Sequence, residues 1–342
     1  MRMLLRPEFP NGHFGDPALY IWEINEKDAL LIDCGDLSRF TTRQLLKTKY
    51  IFLSHCHIDH FFGFDLFLRV HVGSEKNTFI YGPPQTSERV AGKLQGYTWN
   101  LVYDQTLEFT VIDLDSRQKT MTTTHFHARD GFRSSRQTVA EWNPLKPVLD
   151  AGIFHVHTVE LDHRTPSLAY SVEEKETVSV NSEVMKELGL RPGPWVADLK
   201  HWYLFDRAKS KQMDVPTVSG THLSFDCKIL SKKILIPRQR HKIVYATDGA
   251  ANDENRRKLL TLAEGADEFY SETCFLKEDQ HLADETKHFT AQFMAEVATQ
   301  AKVKKIIPFH FSKRYLARPK GPLEEVAAHF KGEIGDLSQT KL

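Results

Sequence analysis

The stretch Ser54-His55-Cys56-His57-Ile58-Asp59-His60 decides how this chain is read. Just before it, Tyr50-Ile51-Phe52-Leu53 is a short apolar run of the kind that forms a buried strand. Just after it, residues 61–70 open an apolar helix. Three imidazoles and a carboxylate therefore sit on a loop where a strand ends and a helix begins. Alternate positions on such a loop, His55 and His57, point the same way, while Asp59 and His60 face a neighbouring spot. Two half-built metal sites result, a short distance apart. Neutral imidazole nitrogen and carboxylate oxygen suit zinc and similar divalent ions. A polar loop that merely happened to hold histidines would not place four ligand-type residues within six positions behind a buried strand.

The pattern H-x-H-x-D-H resembles the signature of the metallo-β-lactamase superfamily. That resemblance implies an α/β fold, a four-layer αββα sandwich with the active site at one rim of the sheets. It also implies further metal ligands downstream, in order, at the ends of later strands.

Composition sets the outer limits. The chain has 342 residues, 41% hydrophobic and 26% charged, as an ordinary globular protein does. Lys+Arg and Asp+Glu both number 45, so no global basic field advertises a nucleic-acid partner, and any RNA must be met by local patches. Cys34, Cys56, Cys227 and Cys274 lack C-x-x-C spacing, which argues against a disulfide framework or a cysteine zinc knuckle. Met1-Arg2-Met3-Leu4-Leu5-Arg6-Pro7 carries too short an apolar run for a signal peptide. No stretch approaches the roughly 20 apolar residues of a membrane span. The expected setting is cytoplasmic and reduced, with no membrane partner.

Along the chain, the pattern predicts a single domain over 1–342 with one elaboration. Residues 19–24 and 29–33 form a strand hairpin, and 79–81 a further strand closed by Gly82-Pro83-Pro84 and followed by a helix over 86–94. Residues 97–147 mix a strand-like run at 107–112 with the turn-rich, basic Arg129-Asp130-Gly131-Phe132-Arg133-Ser134-Ser135-Arg136. They are expected to form an inserted arm standing out from the core. Strand and helix then alternate: 153–161, 182–188, 243–246, 252–263, 268–271, a helix over 290–300, a strand over 305–308 and a helix over 323–330. Such alternation, with ligands at strand ends, implies a sheet-based core and a site at one rim.

The later motifs supply the missing ligands. In Leu161-Asp162-His163-Arg164, His163 closes a strand where the His55/His57 metal needs a third ligand. In Ile243-Val244-Tyr245-Ala246-Thr247-Asp248-Gly249, an apolar strand delivers Asp248, whose two oxygens can bridge two ions. In Pro308-Phe309-His310-Phe311-Ser312-Lys313-Arg314-Tyr315, His310 completes the second site with Asp59 and His60. A fourth pair, Glu272 in Tyr270-Ser271-Glu272-Thr273-Cys274-Phe275 and His288 at the start of an amphipathic helix, has the makings of a general acid held by a carboxylate.

Together these resemble the ribonuclease Z branch, the transfer-RNA 3′-processing endonucleases of the superfamily. The family's E-A-T-F, H-S-T and H-x-S-x-R-Y segments appear here as Glu272-Thr273-Cys274-Phe275, His288-Phe289-Thr290 and the run from His310 to Tyr315. Leu188-Gly189-Leu190-Arg191-Pro192-Gly193-Pro194 matches its L-G-x-P-P-G-P segment. The resemblance covers residues 18–316. It implies that His55, His57 and His163 bind one metal and Asp59, His60 and His310 the other. Asp248 would bridge them, and His288 with Glu272 would form the acid pair. Asp59 would also shuttle protons. It implies two divalent ions, zinc foremost, with manganese or iron tolerated, and a homodimer.

The sequence departs from the family in three places. Residues 1–20 lack its G-T-G-type strand and P-x-K-x-R-N loop. Thr247-Asp248-Gly249 stands where it has G-D-T, and residues 97–147 lie where its transfer-RNA-binding arm is expected but are not a Gly- and Lys-rich hairpin.

The function read from the sequence is that of a metal-dependent phosphodiesterase, a ribonuclease Z-like endonuclease acting on RNA. Metal-activated water would attack phosphorus, His288 would protonate the leaving oxygen, and Ser312, Lys313 or Arg314 would contact phosphate. The alternative is a hydrolase of a small phosphodiester or other ester on the same scaffold; a binding protein that lost turnover would not need the full ligand set. His155 and His157 read as strand-surface residues, and the cluster Lys302, Lys304 and Lys305 as a solvated face. His125 and His127, beside Arg129, Arg133 and Arg136, either contact phosphate or are simply solvated.

Overall fold

The computed structural model describes residues 4–23, 28–238 and 240–337. The apolar runs of the sequence become strands of two sheets. The first has eight strands in chain order: β1 (Leu5–Glu8), β2 (Leu19–Glu23), β3 (Ala29–Ile32), β4 (Thr48–Phe52), β5 (Asn77–Gly82), β6 (Glu108–Asp115), β7 (Thr120–His127) and β8 (Ser134–Glu141). Its centre, β3 to β6, is parallel, and the flanking pairs are antiparallel. Central parallel strands are covered on both faces, which is why they read as near-continuous apolar runs.

After β9 (Leu149–Ala151), β10 (Phe154–His163) and β11 (Thr165–Glu174), the chain forms β12 (Val178–Val180), β13 (Gln212–Pro216), β14 (His222–Asp226) and β15 (Leu235–Pro237). It then continues with β16 (Lys242–Ala246), β17 (Glu268–Glu272), β18 (Lys305–Phe309) and β19 (Glu333–Ile334). The second sheet has the order β19-β18-β17-β16-β11-β10-β9, with β16 to β19 parallel and β11 antiparallel to β16.

The two sheets stack. Tyr170 on β11 donates its hydroxyl to the Leu53 carbonyl at 2.7 Å, and its ring meets Phe52 edge-on at 5.3 Å. On the outer face of the first sheet, Leu45, Phe64, Phe67, Val90 and Leu94 from three helices pack on Leu31, Ile51, Ile80, Phe109 and Val111. On the outer face of the second, Leu259, Met294, Val297 and Val326 cover Val244, Phe269 and Ile306. Helix, sheet, sheet, helix is the four-layer order that the resemblance implied. Helix starts carry their sequence signals: Thr41 and Gln44 form a capping box, and Asn252 and Thr290 cap the helices Asp253–Ala263 and Ala291–Gln300.

Two expectations need correction. The helix over 61–70 is two helices, Ile58–Phe61 and Phe64–His71, broken at Gly63. The Gly63 amide donates to Cys34 O at 2.9 Å, and a Cβ there would lie 2.1 Å from Gly35 O, so only glycine lets the metal loop tuck under the turn after β3. The projecting arm over 97–147 is instead β6, β7 and β8 of the first sheet, with Phe109, Val111, Phe126 and Phe132 buried in its core. Half of β7 is threonine, and on an antiparallel flank only one face needs to be apolar, so the strand hides in the sequence.

The elaboration lies elsewhere. Residues Glu174–Arg240 with Ala151–Phe154 separate as a compact unit, so the chain divides in two where one domain was expected. This unit has its own core of Met185, Leu190, Trp195, Leu199, Trp202, Val215, Leu230 and Ile234. Cys34, Cys56, Cys227 and Cys274 are free thiols.

Candidate metal centre

Five segments of the larger unit deliver polar side chains to one rim. The loop after β4 carries His55, His57, Asp59 and His60; β10 ends in His163; the turn after β16 carries Asp248; β17 ends in Glu272; and His310 follows β18. Carboxyl ends of strands are where open α/β sheets gather their ligands.

Asp248 is the centre of the arrangement. It is 2% exposed, and each of its oxygens faces a different set of imidazoles. Oδ2 lies 3.6 Å from His55 Nε2 and 3.4 Å from His163 Nε2. Oδ1 lies 3.5 Å from both His60 Nε2 and His310 Nδ1. Asp59 Oδ2 stands 3.5 Å from His60 Nε2 and 3.2 Å from His310 Nε2. His57 is exposed at the mouth, its ring 4.3 Å from His55 and 5.2 Å from His163. The Asp248 separations are long for hydrogen bonds. They match the spacing of about 3.4 Å between two ligand atoms that each sit about 2.1 Å from one tetrahedral ion. His55 Nε2, His60 Nε2 and His310 Nδ1 are buried with no hydrogen-bond partner. Buried polar atoms are rarely left so unless they coordinate something. The donor set therefore fits divalent metal, in two groups: His55, His57, His163 and Asp248, and Asp59, His60 and His310.

The surroundings fix the rings. His60 Nδ1 donates to Asp33 Oδ2 at 2.8 Å, and His163 Nδ1 donates to the Lys287 carbonyl at 2.7 Å. Ser54 Oγ donates to Asp33 at 2.8 Å and lies 3.0 Å from His55 Nδ1. In each ring the other nitrogen is left with its lone pair toward the centre, as metal-binding histidines require. Asp33 is fully buried and also accepts from the Ser54 amide at 2.7 Å and from Tyr245 Oη at 2.6 Å. In the sequence Asp33 stands out only as the last residue of the strand over 29–33. The signal it carried was a carboxylate closing the apolar strand beside the one that feeds the metal loop.

Backbone strain collects at the same rim. Asp33, Arg164, Asp248, Lys287 and His310 all have positive φ, between 44° and 59°. Such residues persist where surrounding structure over-determines them, typically at functional sites.

Electrostatics follow the crowding. Burial and the neighbouring His60 hold His55 well below its ordinary value. Burial also opposes protonation of His60, but Asp248 and Asp33 outweigh it and push the ring up to about 10. Burial would raise Asp248 and Asp59, yet the imidazoles facing them keep both carboxylates below the usual range.

His288 and Glu272 are in contact. His288 Nδ1 donates to Glu272 Oε1 at 2.5 Å, and Glu272 is fully buried. Burial alone would depress His288, but the Glu272 charge prevails and raises it. The ring stands 4.9 Å from His163 and 5.7 Å from His310, beside the metal ligands. Cys274, which no sequence reading used, joins Glu272, His288 and His310 within ligand reach, its thiol pushed by burial up to about 11.

The three phosphate-contact candidates are placed unevenly. Ser312 is half-buried, its amide donating to the Cys274 carbonyl at 3.0 Å, and Lys313 is exposed. Arg314 is exposed but pairs with Asp279 at 3.4 Å, which occupies its charge. His155 and His157 lie on the half-exposed face of β10, with His155 3.5 Å from Glu173.

Known proteins resemble the chain in sequence and in fold. The metallo-β-lactamase superfamily model matches residues 15–136. Ribonuclease Z of Deinococcus radiodurans is 26% identical over 305 residues, covering 88% of both chains. Ribonuclease Z of Streptococcus mutans is 28% identical over 335 residues, covering 94% of this chain and 91% of that one. Among solved structures, the metallo-β-lactamase fold protein YhfI from Bacillus subtilis has a TM-score of 0.55 at 15% identity, over 96% of this chain and 95% of its own. The short form of human tRNase Z has a TM-score of 0.51 at 18% identity, over 97% and 96%. Fold and rim together resemble those of the metallo-β-lactamase superfamily, whose model matches the part of the chain that carries the loop after β4. The curated relatives that the chain resembles along most of their length are named ribonuclease Z.

Proposed function

We propose that the chain is a dinuclear phosphodiesterase that cuts RNA, with the 3′ end of precursor transfer RNA as its substrate. The observation that carries this reading is the division of Asp248, with Oδ2 facing His55 and His163 and Oδ1 facing His60 and His310. The RNA substrate rests on the relatives named ribonuclease Z, which match along most of their length.

In this reading His55, His57, His163 and Asp248 would hold one divalent ion, and Asp59, His60 and His310, with Asp248, the other. Imidazole with carboxylate suits zinc, and manganese or iron are tolerated. When bound, such ions supply Lewis acidity at phosphate and lower the pKa of water from 15.7 towards roughly 7. The remaining work belongs to protein groups. Asp33 and the Lys287 carbonyl hold the His60 and His163 rings in one tautomer. Glu272 takes the Nδ1 proton of His288 in a hydrogen bond, so Nε2 carries the proton given to the leaving oxygen. Asp59, with 36% of its side chain exposed, sits where protons can pass between the centre and solvent. Of the two phosphate-contact cations, Lys313 is the one offered to phosphate, because Arg314 is paired with Asp279.

The test is turnover of metal-loaded protein on precursor transfer RNA and on bis(p-nitrophenyl) phosphate. A defined endonucleolytic cut that disappears in Asp248→Ala supports the reading. Hydrolysis of the small diester with no RNA cleavage under zinc, manganese or iron would make the chain a small-phosphodiester hydrolase instead.

A further inference from the structure

We propose that Glu108, His125 and His127 form a third divalent-metal site, on the first sheet and separate from the rim centre. Glu108 opens β6 and His127 closes β7, and the two are direct partners in the antiparallel register. His125 lies two residues earlier on β7, so its side chain emerges on the same face as that of His127. Strand pairing alone thus brings one carboxylate and two imidazoles together.

The contacts are of ligand type. His125 Nδ1 is 2.6 Å from Glu108 Oε1, and His127 Nδ1 is 3.7 Å from Oε2. The two rings stand parallel, 8° apart in plane and 6.2 Å between centroids. One ligand atom from each residue lies within 4.8 Å of the others. A tetrahedral ion needs about 3.4 Å between ligand atoms, so closing the site takes a swing of side chains that are about a quarter exposed, not a movement of strands. Thr110 Oγ1 donates to the same carboxylate at 3.1 Å and steadies it. Two imidazoles and a carboxylate suit zinc, copper(II) or nickel(II), with water completing the shell on the exposed side.

Phosphate does not fit here. The Glu108 carboxylate stands against both imidazoles, so an anion at these histidines would meet like charge, whereas a cation would meet none among the three.

The site shares no ligand with the rim centre. The parallel register pairs Phe52 with Tyr81 and Tyr81 with Ile112, so the metal loop follows the far end of the strand that Glu108 begins. The four residues from Glu108 to Ile112 put at least about 13 Å of strand between them. An ion at Glu108 would pin the hairpin of β6 and β7.

The experiment is equilibrium dialysis of the whole chain against micromolar zinc, followed by elemental analysis and bis(p-nitrophenyl) phosphate turnover. Wild type is compared with His125→Ala, His127→Ala and Glu108→Gln. Each variant is expected to hold one zinc fewer per chain than wild type, with turnover within twofold. Equal zinc content in wild type and variants overturns the proposal. So does loss of zinc together with turnover in folded protein, which would tie these residues to the rim. Glu108→Gln keeps side-chain size and hydrogen bonding, so it decides the matter if a histidine variant melts early. The readout is a difference between wild type and variant, so it is independent of how many ions the rim holds.

Discussion

His71 makes the stability of this fold depend on pH in a way that can be worked out from its surroundings. It ends the helix Phe64–His71, is fully buried, and donates Nδ1 to the Phe67 carbonyl at 2.9 Å while its ring stacks on Phe67 at 4.0 Å. Its Nε2 is buried without a partner, so a second proton there would be unsatisfied. Burial accordingly pushes its pKa down from 6.5 to about 4. The unfolded chain takes up this proton first as pH falls, so the contribution is fully present above pH 6.5 and is lost progressively towards pH 4. At pH 5 the loss from this one group is about 2 kcal/mol. Urea unfolding of wild type and His71→Asn at pH 8 and pH 5 measures it, because other titrating groups cancel in the comparison. The wild type should lose about 2 kcal/mol more than the variant between these pH values. An equal loss in both proteins, or a larger loss in His71→Asn, would refute the reasoning.

Other perturbations address the rim. His288→Ala should leave metal content intact and cut phosphodiester turnover by about 10²–10⁴-fold, less for an activated leaving group, as rates on the two substrate types will reveal. Asp33→Asn removes the charge that fixes His60 and should weaken metal binding by about 10–100-fold in a chelator competition. Gly249→Ala places a Cβ 2.4 Å from Phe289 Cζ, and thermal unfolding should register about 1–3 kcal/mol of destabilisation.

Much of this molecule could be read from local pattern, and the failures have a common cause. Central strands such as β4 and β16 end in apolar runs, Tyr50–Phe52 and Ile243–Ala246, and each is followed by a ligand, so both strand and ligand stand out in the sequence. Where a segment's role depends on what lies beside it in space, local pattern says little. Asp33 serves His60 only because Ile32 pairs with Phe52, which brings the ends of β3 and β4 together. Trp195, Leu199, Leu230 and Ile234 have the spacing of any amphipathic helix, and nothing in that spacing tells that they pack on one another as a separate core. Strain was hidden as well. Positive φ falls on Asp33, Asp248 and His310, with no glycine to mark it. At Thr247-Asp248-Gly249 the glycine serves a different need, leaving room for the Phe289 ring.

Anomalous diffraction at the zinc edge from crystals of the zinc-loaded protein would examine the division of Asp248 itself. Two peaks are predicted there, one between Oδ2 and the group His55, His57 and His163, the other between Oδ1 and the group Asp59, His60 and His310. A single peak, or none within bonding distance of Asp248, would contradict the dinuclear reading.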